Sequence, residues 1–242
     1  IVDREREIDS FKSQSRFKIT GIFEVTDKHG KKTEFKAEVP EYFDTQKEAE
    51  EFLEKCKGSE FLVESVEKKP AKKSPSPPFT TSTLQQEASR KLRYSVARTM
   101  MVAQKLYEAG KITYMRTDSV NLSDIALDAA EQQINTEYGK NYSHRRQFKT
   151  KSKTAQEAHE AIRPTDFSVE KVSGTKEEKA LYDLIWKRAI SSQMSDAQLE
   201  RTTLKINVSK ADDKFVAKGE VIKFDGFLKV YLESTDDENG SV

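Results

Sequence analysis

The stretch Lys111 to Ser119, KITYMRTDS, sets Tyr114, Arg116 and Asp118 close together, directly after Gly110 at the end of a helical pattern. In an extended backbone alternate side chains point the same way, so Tyr114 and Arg116 would face one ligand. A phenol, with an ordinary pKa of about 10, attacks only if a neighbour takes or stabilises away its proton. Arg116 offers a permanent cation whose planar fork suits a phosphate. Such a pair suits phosphoryl transfer. The competing reading is structural: Tyr114 packs in a core and Arg116 pairs with Asp118. Spacing alone leaves both open.

A second constellation is QEAHEAIRPTD. Placed on a helix, His159 and Arg163 are four apart and share a face, with Glu160 and Asp166 nearby and Pro164 at the boundary. The fifth position is arginine, so this is not the zinc-binding H-E-x-x-H pattern. A lone histidine on a helix is usually structural, but paired with Arg163 it could bind a phosphate as proton donor or charge partner.

Two basic surfaces could follow a nucleic-acid backbone. Residues 139–153, GKNYSHRRQFKTKSK, carry six Lys or Arg and no acid, with Tyr142 and Phe148 interleaved. A helix would display Arg90, Lys91, Arg93 and Arg98. Ordinary solvation explains either. DREREID reads as an ion-paired helix end. There is no G-x-x-x-x-G-K-[ST] phosphate loop and no D-x-D pair, so neither nucleotide hydrolysis nor self-contained metal catalysis is supported.

Bulk composition decides little. The 42 Lys and Arg nearly cancel 41 Asp and Glu, so attraction to nucleic acid rests on local charge. One cysteine, Cys56, precludes an internal disulfide and fits a reducing cytosol, and with three histidines it forms no metal-ligand spacing. No apolar run approaches the roughly 18 residues of a membrane span. The chain starts at Ile1 in mid-pattern, which suggests a piece of a longer protein.

The elements that must position these residues follow from periodicity. RFKITGIFEV and EFKAEV alternate as a hairpin, with Phe17, Ile19, Phe23 and Val25 on one parity and Phe35, Ala37 and Val39 on the other strand. TQKEAEEFLEKCKG is a helix with a Thr45/Glu48 capping box, and EFLVESV another strand. EKKPAKKSPSPPF, with four of the six prolines, reads as an exposed connector. Helices are expected from STLQQEASRKL with a Ser82/Gln85 box, SVARTMMVAQKLYEAG, SDIALDAAEQQINTEYG, and TKEEKALYDLIWKRAISSQM with a Thr175/Glu178 box. TTLKINV, KFVAKGEVIKF and GFLKVYL return to strand. The fold class is therefore α+β and multidomain, a discontinuous β-rich domain into which a helical segment is inserted.

PPFTTSTLQQEAS, RTMMVAQKLYEAGKITYMRTDSVNLS and QEAHEAIRPTD, with VDREREI and FDGFLKVY near the ends, make the chain similar to the bacterial type IA DNA topoisomerase family. The resemblance spans essentially the whole chain. It implies that Tyr114 attacks one DNA strand and becomes linked to its 5′ phosphate, the other strand passes, and the break is resealed without ATP. Arg116 would then bind the scissile phosphate and stabilise transition-state charge, with His159 near the DNA in the same cleft. Arg163 and Asp118 are carried as further DNA or phosphate contacts. By the same resemblance residues 1–11 end a neighbouring DNA-channel domain, residues 12–78 and 199–242 form a β-rich arch, and residues 79–198 form a helical gate. The family's Mg²⁺-binding acidic domain, with its D-x-D, is not in this chain. The resemblance also implies a cytoplasmic monomer acting on single-stranded segments of negatively supercoiled DNA. An alternative is a non-catalytic single-stranded DNA-binding gate module. A tyrosine recombinase fits poorly, because it expects H-x-x-R upstream of its tyrosine.

Overall fold

The computed structural model describes residues 1–148, apart from positions 14 and 27, and residues 159–232. The described chain divides into two compact units, one of residues 1–71 with 200–221 and the other of residues 72–199 with 222–242.

In the first unit, α1 (Val2–Ser10) is laced by Arg4 to Glu7 at 2.8 Å and has no buried residue. The alternating segments form the antiparallel hairpin β1 (Thr20–Thr26) and β2 (Lys32–Glu38), with Phe23 opposite Phe35. Ala37 and Val39 are fully buried, and the Phe23 and Phe35 rings stack at 5.6 Å. Helix α2 (Gln46–Cys56) starts at the Thr45/Glu48 capping box and buries Ala49 and Phe52. Strands β3 (Phe61–Lys73), β4 (Ala197–Val208) and β5 (Lys214–Phe224) complete a sheet of order β1-β2-β5-β4-β3. Ile19, Val39, Phe52, Ile206 and Phe215 make this unit's core.

The proline-rich stretch is largely exposed as far as Ser74, as expected of a connector, but not beyond. Strand β3 runs through Pro70 to Lys73. It is an edge strand, where a residue without an N–H need cost no ladder bond. Beyond it Pro75 and Pro78 are buried, and Arg188 Nε donates to the Pro77 carbonyl at 2.7 Å. The prolines stiffen a segment that docks, and the lysine count concealed that.

The second unit packs α3 (Thr81–Leu92), α4 (Val96–Glu108), α5 (Asp124–Glu137) and α6 (Lys176–Ser192). Leu84, Leu106, Ile112, Met115, Leu181 and Ile185 are among its core side chains. Ser95, Ser123 and Thr175 cap three of the helices as their sequence position suggests. Helix α3 differs. Its box is Thr80 with Thr83 rather than Ser82 with Gln85, so it begins earlier in FTTST.

GFLKVYL is not a strand. Gly226–Lys229 is a single 3₁₀ turn, and Phe227 and Tyr231 join the helical core. Gly226 has φ +51°, and a Cβ there would lie 2.5 Å from the Ser195 carbonyl oxygen, so the close backbone approach needs glycine. Tyr231 donates its hydroxyl to buried Glu87 at 2.9 Å. Residues 227–231 thus pack with the helices, although the sequence reading had grouped 199–242 with the strands.

Candidate active site

Helix α4 ends because Gly110 takes φ +66°, letting its N–H reach the Tyr107 carbonyl at 2.8 Å and the Lys111 N–H reach that of Leu106 at 2.8 Å. Along the chain that leaves, burial alternates. Ile112, Met115, Thr117 and Ser119 are buried, while Tyr114, Arg116 and Asp118 face outward. Tyr114 is 49% exposed, so it is not a core aromatic.

Two neighbouring segments pin this strand-like stretch. On one side Thr113 N–H donates to the Arg163 carbonyl at 2.9 Å, Arg163 N–H to Thr113 Oγ1 at 3.0 Å, and Thr113 Oγ1 to the Ala161 carbonyl at 2.7 Å. On the other, Thr81 in the first turn of α3 donates from its N–H to the Thr117 carbonyl at 2.9 Å and from Oγ1 to that of Met115 at 2.8 Å. Thr81 Oγ1 also accepts from Thr117 N–H at 2.9 Å. These hydroxyls satisfy backbone groups that a ladder would otherwise pair.

HEAIRP is not helical. Ile162 bridges Phe79 and Pro164 bridges Ile112, so the segment's backbone groups are spent on neighbours rather than on a helix. His159 and Arg163 therefore do not share a face through helical spacing. His159 lines an open cleft of about 290 Å³ with Thr113, Tyr114, Arg116, Thr117 and Glu160. Arg163 lies outside that lining. It donates to Glu160 at 2.7 Å and to the Pro164 carbonyl at 2.9 Å, and its side chain is 13% exposed. Asp118 also lies outside the lining, and Arg116 has no ion-pair partner among the described residues.

Glu160 links the motif to α5. Its Oε1 accepts the Ser123 N–H at 2.7 Å while Oε2 holds Arg163. Burial pushes the carboxyl up, but the bonds from Ser123 and the Arg163 guanidinium outweigh it and hold the carboxyl below its ordinary value. With both oxygens engaged, Glu160 is poorly placed to ligate a cation. Among the described residues no group of three or more His, Cys, Asp or Glu could hold a metal. The described residues do not fit a magnesium site.

Four of the described cations of the two basic surfaces are paired within the fold. Arg145 pairs with Asp124 and Asp128, and Arg146 with Asp196 at 2.5 Å. Lys91 lies 3.4 Å from Glu87, and Arg98 pairs with Glu177. Lys149, Lys151 and Lys153 lie outside the described residues. The cleft itself brings together a phenol, a guanidinium with no ion-pair partner among the described residues and an imidazole, a set that can bind an anionic centre and present an oxygen nucleophile to it. Sequence reasoning missed the hydroxyls of Thr81, Thr113 and Thr117. Their signal was the clustering of threonine at FTTST and on both sides of Tyr114.

An α+β chain with an outward Tyr-x-Arg pair on its helical part has a solved counterpart. The fold is similar to full-length topoisomerase I from Thermotoga maritima, with a TM-score of 0.74 and 35% identity over 97% of this chain and 39% of that one. DNA topoisomerase 1 of Zymomonas mobilis is 44% identical over 98% of the chain and 20% of its own length. That of Synechococcus elongatus is 50% identical over 81% of the chain and 23% of its own length. The DNA topoisomerase family model matches residues 1–241, and the chain belongs to this family, in its bacterial type IA branch. It spans about a fifth of the length of these curated relatives.

Proposed function

We propose that this chain carries the nucleophile half of a type IA DNA topoisomerase, with Tyr114 as the attacking group. The observation that carries the reading is the shared cleft of Tyr114, Arg116 and His159. The Tyr114 oxygen loses its proton and bonds to phosphorus, the P–O3′ bond breaks, and the departing 3′ oxygen takes up a proton. Resealing reverses each change. The phosphotyrosine retains the energy of the phosphodiester, so no ATP is consumed. Arg116 orients the phosphate and offsets the charge that grows on its oxygens, and His159 supplies a further donor from the cleft lining.

Mg²⁺, expected for the full-length enzyme, would be held by residues outside this chain. DNA is the partner, as a single-stranded segment of negatively supercoiled duplex, which places the protein with the bacterial chromosome in the cytoplasm. The helical unit serves as the gate and the β-rich unit as the arch. Asp118 and Arg163 act at one remove from the phosphate, Arg163 by fixing Glu160.

The test incubates single-stranded DNA with this chain alone, with the chain plus the remaining N-terminal part and Mg²⁺, and with a Tyr114→Phe version of that mixture. Covalent adduct is expected only in the second. Adduct persisting with Tyr114→Phe removes Tyr114 from its role. Strong adduct from the chain alone refutes the division of the active site. If the chain alone binds DNA in a salt-dependent way and no mixture forms adduct, the non-catalytic module is the better reading.

A further inference from the structure

The phenol oxygen of Tyr114 has no hydrogen-bond partner among the described residues, and its ring is half-exposed. An unrestrained tyrosine would turn about two side-chain bonds, and its oxygen would sweep a wide arc past the phosphate. Among the described residues one ring contact restrains it. The Tyr107 ring meets the Tyr114 ring edge to face, with centroids 5.2 Å apart and planes at 63°.

Tyr107 stands on firmer ground than its neighbour. It lies in the last turn of α4, where its carbonyl accepts the Gly110 N–H and the Leu106 carbonyl accepts that of Lys111. The Gly110 carbonyl accepts Thr165 Oγ1 at 2.8 Å, so the turn between the two tyrosines is tied at its apex. Tyr107 is 40% exposed and does not line the cleft, so it neither supports a core nor reaches the phosphate beside Arg116.

We propose that Tyr107 is a positioning residue for the nucleophile: its ring edge confines Tyr114 to the orientation that aims the phenol oxygen at the phosphate held by Arg116. This rests on the reading of Tyr114 as nucleophile. Small misplacements of a reacting atom cost rate far more than affinity, and a ring fixed by one packed neighbour is sensitive to its loss.

The test uses the full-length protein that carries this chain, with single-turnover cleavage of a single-stranded oligonucleotide and its dissociation constant measured side by side. Tyr107→Leu is expected to slow cleavage by about ten- to a hundredfold while affinity stays within about twofold. Tyr107→Met, which fills space without a ring, should behave alike and guards against a folding defect peculiar to leucine. Tyr107→Phe keeps the ring and should restore the wild-type rate, since the hydroxyl has no partner among the described residues. Wild-type cleavage in both the leucine and methionine variants overturns the inference. So does a phenylalanine variant as slow as leucine, which would assign the effect to the hydroxyl, or affinity that falls in step with rate. Tyr114→Phe runs alongside: if it still forms adduct the nucleophile reading itself fails, whereas an inactive Tyr114→Phe beside a fast Tyr107→Leu removes only the role of Tyr107.

Discussion

Glu160 forfeits its hold on Ser123 and Arg163 when it takes up a proton. Because its folded pKa lies below the ordinary 4.5, the native state binds this proton less readily than the unfolded chain does. The stability it contributes is present above that value and is lost as pH falls through the lower folded one. Glu160→Gln should therefore melt below the wild type near neutral pH, with the gap closing in acid. Thermal melts across the acid range measure this, and parallel curves would show that the carboxylate's charge is not what ties α5 to the motif. The same residue explains Arg163. An arginine that looked like a second phosphate grip is largely buried and spent on a carboxylate, leaving Arg116 as the cation that faces the cleft.

At the scale of elements, the stretch 112–117 is held by threonine hydroxyls rather than by a full strand partner. Thr113 Oγ1 both donates to the Ala161 carbonyl and accepts from the Arg163 N–H. Thr113→Val keeps the shape and removes both bonds, leaving partly buried backbone groups unpaired, at a cost of about 1–3 kcal/mol. Urea denaturation should show that loss, and amide exchange at Arg163 should quicken. Stability within a few tenths of a kcal/mol of wild type would mean that water or a neighbour takes over, and that the hydroxyl does not set the strand's position.

At the scale of the molecule, the chain passes from helices to strands and back. Phe227 and Tyr231, reached only after β5, complete the helical core begun at Phe79. Arg188 lies against both ends of that circuit, over the Phe79 ring at 4.9 Å and the Tyr231 ring at 5.5 Å. Gly226 makes the return possible by passing against the Ser195 and Asp196 carbonyls. Gly226→Ala places a methyl on those atoms and strains a left-handed backbone, so it should destabilise the helical unit by about 2 kcal/mol or more. A denaturant midpoint unchanged from wild type would show that the turn can relax elsewhere.

Much of this was legible in the residues. Capping boxes at Thr45 and Thr175, the stop at Gly110, the alternation of the hairpin and the shared side of Tyr114 and Arg116 all depend on spacing within a few positions, where local backbone geometry decides. The rest was not local. Whether HEAIRP coils or extends depends on Phe79 and Ile112, far away in sequence, taking its backbone bonds. The docking of Pro75 and Pro78 depends on α6, and GFLKVYL turns into the helical core because a glycine can approach a distant carbonyl. Sequence by itself thus determined which groups could carry the chemistry. Only the tertiary structure decided which of them share a cleft, because burial, ion pairing and competition for backbone hydrogen bonds are settled between segments that the chain order keeps apart.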